Sequence, residues 1–129
     1  MEIRKWTAAD NQQIFEVMRE AGEEWSCYHD DTEAGRYRMA LESSLTYVAL
    51  EENLLCGFVR CRDDDGFGIY VYDLLVKKSC RHRQTGRKLL AFVCKEHPED
   101  TVYVMSDEDG YYEKLGYHRE GSVFLVEEK

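Results

Sequence analysis

An apolar strand, a basic loop and a helix start follow one another between residues 69 and 95, and these residue types in this order can bind a phosphate ester. The run Ile69–Val76 is apolar or aromatic on both faces, which predicts a buried central strand. Residues 85–95 have helical spacing, with Gly86 in the first turn. Unpaired N–H groups and the positive end of the helix dipole attract an anion to such a helix start. Cationic side chains lie around it, namely Arg81, Arg83, Arg87 and Lys88.

A solvated basic loop is the alternative reading for this stretch taken alone. The glycine-rich patterns of the nucleotide-binding folds, G-x-x-x-x-G-K-[ST] and G-x-G-x-x-G, are both absent from the sequence. The rest of the chain therefore has to decide between an anion site and a solvated loop.

The predicted elements around this stretch include strands and helices in alternation. The pattern Thr7-Ala8-Ala9-Asp10 has the form of a capping box, and a helical run of apolar residues follows it as far as Gly22. The predicted strands are 2–5, 46–50, 54–61, 67–76, 101–105 and 122–126, and the further predicted helices are 32–43 and 107–115. Turn residues between the second, third and fourth strands predict an antiparallel meander. The fold class is α/β (α+β), with a mixed, mostly antiparallel central sheet flanked by helices.

Composition favours one folded domain over residues 1–129. The chain is 43% hydrophobic with a single proline, and its 129 residues are enough for one core but not for two. No apolar run approaches the roughly 20 residues of a membrane span, and no signal peptide is recognisable, so we expect a cytoplasmic protein with no membrane partner. The five cysteines form no C-x-x-C pair, which argues against both a disulfide framework and a metal site.

Charge is distributed unevenly along the chain. The net charge is −9, yet residues 74–94 contain six basic residues and no acidic one, which leaves 11 basic residues against 26 acidic ones elsewhere. A nucleic-acid-binding protein should show a broader basic excess, so no nucleic-acid partner is expected. The pattern indicates one compact polyanion bound locally and a neutral or cationic second partner.

The segment from Val76 to Leu90 resembles the acyl-CoA-binding motif R/Q-x-x-G-x-G/A of the GNAT (acetyl-CoA-dependent N-acetyltransferase) superfamily. Arg81 matches the leading residue and Gly86 the closing glycine, whereas Gln84 replaces the first glycine. The resemblance implies that the strand end at Leu74 and Val76 binds the pantetheine arm. It also implies that the pyrophosphate lies against Arg81, His82, Arg83, Gln84, Thr85, Gly86 and Arg87.

The replacement by Gln84 predicts a looser phosphate loop. Glycine permits a close backbone approach and an unusual φ that glutamine does not. We therefore expect weakened CoA binding, and we expect Gln84→Gly to tighten it.

A second segment, from Tyr111 to Tyr117, resembles the aromatic-Tyr-x-K-L-G-aromatic hallmark of the same superfamily, about 25 residues after the first motif. This resemblance implies that Tyr112 protonates the departing CoA thiolate, and a phenol with a pKa near 10 is suited to that at neutral pH. The alternative is that Tyr111 and Tyr112 are core aromatics, with Tyr111 packed on Leu115. We assign Tyr111 to packing and Tyr112 to catalysis.

Asp73 is the candidate general base for the amine that such an enzyme would acetylate. It interrupts an apolar strand, where an ionised carboxylate is costly unless it has a task or a partner. The alternative is that Asp73 pairs with a buried tyrosine or arginine. Tyr70 is a further candidate, because some GNAT enzymes place a glutamate base at about that position.

The predicted function is transfer of an acetyl group from acetyl-CoA, as co-substrate, to the amine of a small cationic acceptor, by direct attack in a ternary complex. Glu24, Asp30 and Asp31 are expected near the acceptor entrance. Strand 69–76 is similar to that of aminoglycoside 3-N-acetyltransferases, which supports an amine acceptor but not an antibiotic one. The alternatives are a non-catalytic CoA-binding or regulatory GNAT-fold module, and a phosphate-ligand or protein-interaction domain unrelated to CoA. An exposed edge strand at 122–126 would allow a homodimer.

Overall fold

A five-stranded sheet forms the centre of the computed structural model, which describes residues 1–29 and 33–127. The strands are β1 (Glu2–Lys5), β2 (Leu45–Glu51), β3 (Leu54–Asp63), β4 (Ile69–Val76) and β5 (Val102–Val104), and they lie side by side in that order. The first four strands are antiparallel, which confirms the predicted meander, and β5 runs parallel to β4. The parallel pair requires a crossover, and a helix supplies it.

Five α-helices accompany the sheet among the residues that the structure describes. They are α1 (Asn11–Ala21), α2 (Ser26–His29), α3 (Ala34–Ser43), α4 (Thr85–Glu96) and α5 (Asp109–Lys114). The predicted capping box is present: the Thr7 N–H donates to the Asp10 carboxylate over 2.8 Å, and α1 ends at Gly22 with φ of 114°. The prediction placed the start of the next helix at Thr32, which lies outside the described residues.

The helices bury opposite faces of the sheet, because β2, β3 and β4 are apolar on both sides. On one face, α1 and α3 contribute Ile14, Met18 and Leu41 to a core that includes Phe58. On the other face, α4 packs Leu89, Leu90 and Val93 against Val59 and Val71. This two-sided burial is the reason that the central strands are near-continuous hydrophobic runs.

A β-bulge interrupts the alternation of β4. Cys61 pairs with Val71 and Arg60 pairs with Asp73, so Tyr72 has no counterpart on β3. From this point the side chains of β4 change faces: Val71 and Leu74 belong to the α4 side, whereas Asp73 and Leu75 lie on the side of α1 and α3. Regular alternation would have placed Asp73 with Val71.

The predicted strand at 122–126 is wrong, because residues 118–127 form no strand. The side chains of Val123, Phe124, Leu125 and Val126 are 68–91% exposed. The apolar run has the composition of a strand, but a strand exists only where a neighbouring edge pairs with it. The homodimer expected from this segment is not tested by the fold of one chain.

Candidate active site

A groove opens where β4 and β5 separate. The two strands pair only from Ile69 to Val71 on β4, and the last bond is donated by the Met105 N–H to the Val71 carbonyl over 2.9 Å. Beyond that bond β4 continues to Val76 without β5 beside it. The resulting groove has a volume of about 780 Å³.

The free edge of β4 faces this groove. The Lys77 N–H donates to the Cys56 carbonyl of β3 over 2.7 Å, which makes these two residues a hydrogen-bonded antiparallel pair. Because such pairs alternate, the backbone groups of Leu74 and Val76 point away from β3 and into the groove. Both predicted pantetheine residues therefore offer N–H and C=O groups to an extended ligand.

The predicted phosphate loop, residues 81–87, lies at the start of α4 and borders the groove. Every predicted residue of this loop lines the groove except Arg83, and Lys78 lines it in addition. The Thr85 hydroxyl is used internally, since it donates to the Cys80 carbonyl over 3.3 Å. The site thus combines a helix N-terminus with the cations of Lys78, Arg81 and Arg87.

Gln84 adopts the left-handed conformation that glycine favours, with φ of 60° and ψ of 27°. The expectation that glutamine would not take this conformation is therefore wrong. His82, two residues earlier, also has a positive φ, of 69°. A left-handed L-residue costs roughly 1–2 kcal/mol, so the loop keeps the shape of a glycine loop under strain.

Gly86 allows α5 to approach α4. A β-carbon at this position would overlap the hydroxyl of Tyr111, which lies directly over the Gly86 backbone. The Tyr111 ring meets the Tyr112 ring edge to face at 5.0 Å. The absence of a side chain at Gly86 thus lets the Tyr111 hydroxyl pack against the start of α4, and Tyr111 in turn contacts Tyr112.

Tyr112 lies on the groove and packs partly against the α4 core. Burial raises the pKa of its phenol to about 12, and the neighbouring Tyr111, Asp107 and Glu108 act in the same direction. The phenol therefore stays protonated throughout the neutral range and can donate a proton to an anion in the groove.

Asp73 is 6% exposed and accepts two short hydrogen bonds. The Tyr37 hydroxyl and the Arg60 Nε each donate to its Oδ2 over 2.6 Å. Arg60 lies between the rings of Tyr37 and Tyr72, at 5.6 and 5.7 Å from their centroids. The alternative that Asp73 pairs with a tyrosine or an arginine is confirmed, and it pairs with both.

The comparisons with known proteins agree with this arrangement. Residues 42–119 match the family described as "Acetyltransferase (GNAT) domain". The chain belongs to the GNAT acetyltransferase family. The predicted family is thereby confirmed, and the chain is an acyltransferase by family. The family membership argues against the alternative of a phosphate-ligand or protein-interaction domain unrelated to CoA.

Solved structures share the fold of this GNAT chain. A GNAT-family acetyltransferase from Streptococcus pneumoniae TIGR4 is 21% identical with a TM-score of 0.71, covering 98% of each chain. The PaiA N-acetyltransferase of Thermoplasma acidophilum, in complex with coenzyme A, is 20% identical with a TM-score of 0.73, covering 95% of this chain and 92% of that one. An aminoglycoside 6'-N-acetyltransferase, also complexed with coenzyme A, is 19% identical with a TM-score of 0.75, covering 94% and 87%. No curated protein sequence matches this one.

Aromatic and acidic side chains also line the groove. These are Glu24, Trp25, Tyr28, Tyr72, Asp107 and Glu108. Glu24 was expected near an acceptor entrance, whereas Asp30 and Asp31 lie outside the described residues. Tyr70 does not line the groove; its ring stacks on Tyr103 at 5.1 Å and borders an adjoining open pocket of about 600 Å³, which shares Tyr72 and Met105 with the groove.

Sequence reasoning missed Trp25, Tyr28 and Tyr72. Tyr72 is the unpaired residue of the β4 bulge, and its contact with Arg60 of β3 cannot be read from the sequence. Trp25 and Tyr28 belong to a 3₁₀ turn and the short α2. They are positioned by packing: the Trp25 ring lies 6.3 Å from that of Phe58 on β3, and the Tyr28 ring lies 5.1 Å from that of Tyr37 on α3. Their aromatic character was the only available signal.

Residues 1–29 and 33–127 contain neither a metal site nor a membrane-spanning helix. No group of His, Cys, Asp or Glu side chains there is placed to hold a metal ion. In the same part of the chain, no helix has the length and apolar character needed to span a bilayer.

Proposed function

We propose that this GNAT protein transfers the acetyl group of acetyl-CoA to the amine of a small cationic acceptor. The observation that carries the proposal is the alignment of the free β4 edge at Leu74 and Val76 with the phosphate loop at the start of α4. An extended chain that ends in a pyrophosphate matches both features at once. Two of the structures that share the fold are complexes with coenzyme A, which supports the same ligand here.

The residues present fit coenzyme A. The backbone groups of Leu74 and Val76 would bond the pantetheine amides as an added strand. The N–H groups at the start of α4, together with Arg81 and Arg87, would hold the pyrophosphate. Arg83 lies outside the groove, so we leave it out of this contact.

Acetyl-CoA supplies an activated acetyl group, and the chain supplies geometry and one proton. A groove-facing N–H of β4 polarises the thioester carbonyl. As the N–C bond forms and the C–S bond breaks, the amine nitrogen loses its second proton to solvent and Tyr112 gives its proton to the leaving sulfur. The thiolate of a thiol with a pKa of about 8.5 is a weaker base than the phenolate of Tyr112, so the phenolate takes a proton from solvent at once, and this completes the transfer.

The pairing of Asp73 argues against the predicted role as general base. Its carboxylate already accepts from Arg60 and Tyr37, and removing a proton from an ammonium would require one of them to leave. We assign deprotonation of the acceptor to solvent water and treat Asp73 as a positioning residue, which holds Arg60 beneath the ring of Tyr72.

The charge along the groove supports a cationic acceptor. Besides the cations Lys78, Arg81 and Arg87, which we assign to the phosphates, the groove is lined by the carboxylates of Glu24, Asp107 and Glu108. Carboxylates attract an ammonium ion, and aromatic faces bind it. This arrangement favours an acceptor with a second positive charge over a neutral or acidic amine.

A matched pair of amines tests the proposal. Putrescine and 4-aminobutyrate have the same chain length, but one carries a second ammonium and the other a carboxylate. We expect acetyl-CoA to raise the melting temperature, and we expect thiol release with putrescine to exceed that with 4-aminobutyrate at least tenfold. Absence of the thermal shift would refute coenzyme A as the ligand.

A thermal shift without thiol release from any amine would instead favour the non-catalytic CoA-binding module. Equal rates with the two amines would remove the cationic acceptor from the proposal and leave the transferase in place.

A further inference from the structure

Two buried cysteines lie together directly before the phosphate loop. The Cys80 thiol donates to the Cys56 sulfur over 2.6 Å, and the two residues are 2% and 0% exposed. Cys56 belongs to β3, and Cys80 ends the 3₁₀ turn Lys78–Cys80 that follows β4. Neither cysteine lines the groove, and the proposed acetyl transfer makes no use of them.

The backbone holds the two sulfurs close to bonding distance. A disulfide bond is about 2.05 Å long, so the sulfurs have roughly 0.5 Å left to close. The Lys77 N–H donates to the Cys56 carbonyl over 2.7 Å, and the Cys80 N–H donates to the Lys77 carbonyl over 2.9 Å. These two bonds fix the Cys80 backbone relative to β3. A disulfide can therefore form here without a rearrangement of the fold.

The Cys80 backbone also anchors the phosphate loop. Its carbonyl accepts the bond from the hydroxyl of Thr85, the first residue of α4. In the same 3₁₀ turn, the Lys78 N–H donates to the Glu20 carboxylate of α1 over 2.8 Å. A covalent bond at Cys80 would therefore tie the start of the loop to β3 as well.

We propose that Cys56 and Cys80 are a site of reversible oxidation, at which a hydroperoxide forms a disulfide that fixes the phosphate loop to β3. This modification goes beyond the proposed acetyl transfer, and the formation of the bond does not depend on it. The proposal concerns one reversible bridge and is compatible with a sequence that lacks a disulfide framework.

Hydrogen peroxide would act in two steps. The Cys80 sulfur, next to the exposed Ser79, attacks the O–O bond, keeps one oxygen as a sulfenic acid and releases the other as water. The Cys56 sulfur then attacks the Cys80 sulfur, so that the S–S bond forms and the S–O bond breaks. The hydroxyl leaves as water with the Cys56 proton. The two thiols thus give up two electrons and two protons, and one hydrogen peroxide becomes two waters.

The surroundings of the pair make this reaction slow. Burial raises the pKa of the Cys56 thiol to about 11, and the Cys80 thiol acts in the same direction, whereas the Arg83 cation opposes them. The thiolate is the reactive form of cysteine, so a buried and protonated thiol reacts slowly. We therefore expect the exposed Cys27 and Cys94 to be oxidised before this pair.

Thiol counting tests the inference. Cys27→Ser and Cys94→Ser together remove the two exposed thiols and leave Cys56, Cys61 and Cys80. After treatment with hydrogen peroxide, unfolding in urea and alkylation with a maleimide, we expect one alkylated cysteine where the untreated protein has three. Dithiothreitol should restore all three. Three alkylated cysteines after peroxide treatment, or oxidation that dithiothreitol does not reverse, would overturn the proposal.

Two further substitutions in that background provide the matched control. Cys61 is the third buried thiol, and it lies in the core on the α4 side. We expect Cys61→Ala still to lose two thiols to peroxide, and Cys80→Ala to lose none by disulfide formation. Mass spectrometry of the digested, oxidised protein should find the peptide of Cys56 joined to that of Cys80, which identifies the bond even if Cys80→Ala fails to fold. A linked peptide that contains Cys61 instead would contradict the assignment.

The melting temperature and the affinity for coenzyme A test the effect on the loop. The two cysteines are 24 positions apart, and a bridge of that span should raise the melting temperature by about 5 °C or more, reversibly with dithiothreitol. The affinity arm rests on the proposed function. Because a fixed loop has less freedom to lose on binding, calorimetry should find coenzyme A bound roughly twofold tighter or more by the oxidised protein.

The outcomes separate the disulfide from the proposed function. An oxidised protein with an unchanged or lower affinity for coenzyme A would refute the fixing of the loop. Absence of coenzyme A binding in both redox forms would refute coenzyme A as the ligand, whereas the thiol count would still decide whether the disulfide forms.

Discussion

The hydroxyl of Tyr37 donates a 2.6 Å hydrogen bond to the carboxylate of Asp73, and the two residues are 36 positions apart in sequence. The bond joins α3 to the bulge of β4, next to the groove. Burial raises the pKa of the Tyr37 phenol above its ordinary value, and the Asp73 charge adds to this. The tyrosine is therefore a permanent donor to the carboxylate that also pairs with Arg60.

Asp73→Asn should destabilise the fold strongly. The Arg60 side chain is only 15% exposed, and the substitution leaves its cation without a counter-charge. Breaking a buried pair in this way costs about 3 kcal/mol of unfolding free energy, which urea denaturation would measure. Asp63→Asn, on the exposed end of β3, is the control and should change little. If Asp73→Asn kept its stability but lost turnover, with a changed pH dependence of the rate, the result would support Asp73 as the general base.

Tyr112→Phe should lower kcat by about 10²- to 10⁴-fold, the range of a general acid, with little change in KM for acetyl-CoA. The phenyl ring preserves the packing against the α4 core, so the loss reports the proton alone. Tyr117→Phe, five residues away and outside the groove, is the matched control. Unchanged turnover in Tyr112→Phe would remove this phenol from the mechanism.

The titration of Tyr112 should appear at high pH. Its pKa of about 12 in the folded protein lies above the ordinary 10, so the folded state retains a proton that the unfolded state has lost. The contribution of Tyr112 to stability is therefore complete below pH 10 and is lost as the pH rises toward 12. Tyr112→Phe should show a shallower loss of unfolding free energy over that window. Identical pH dependence in both proteins would contradict the raised pKa.

Gln84→Gly should stabilise the protein, and the same variant tests the predicted gain in acetyl-CoA affinity. Glycine removes the strain of the left-handed residue, roughly 1–2 kcal/mol, but loses part of this to the entropy of the unfolded chain. The net gain should be about 0.5–1 kcal/mol by thermal denaturation. Gln84→Ala keeps the strain and is the control. Calorimetry that finds weaker binding for Gln84→Gly would assign the glutamine side chain a contact with the ligand.

Gly86→Ala should impair coenzyme A binding, and Tyr111→Phe should rescue it. The added β-carbon overlaps the Tyr111 hydroxyl but lies 3.5 Å from the ring carbon that bears it, an ordinary contact. Removing the hydroxyl therefore removes the conflict. We expect at least a tenfold loss of affinity in the single variant and recovery of most of it in the double variant. Failure of the rescue would place the effect of Gly86→Ala in the loop backbone instead.

Most of the fold follows from local patterns in the sequence. The capping box at Thr7, the meander of β2, β3 and β4, and the span of α4 all depend on neighbouring residues, and all were predicted to within a few positions. The two motifs around Gly86 and Tyr112 are also local, so the amino-acid sequence alone was enough to predict the family. The binding of phosphate at residues 81–87 stays a prediction.

Only the tertiary structure determined which side chains surround Asp73 and whether residues 122–126 form a strand. The bulge at Tyr72 reverses which face of the sheet the later side chains of β4 occupy. A sequence-based prediction assumes strict alternation of side chains along a strand, so it does not detect one extra residue in the register. Tyr37, Arg60 and Asp73 meet through strand pairing and helix packing, which no local pattern encodes. Residues 122–126 have the composition of a strand, but a strand requires an edge to pair with, and that edge is supplied by the assembly of the sheet.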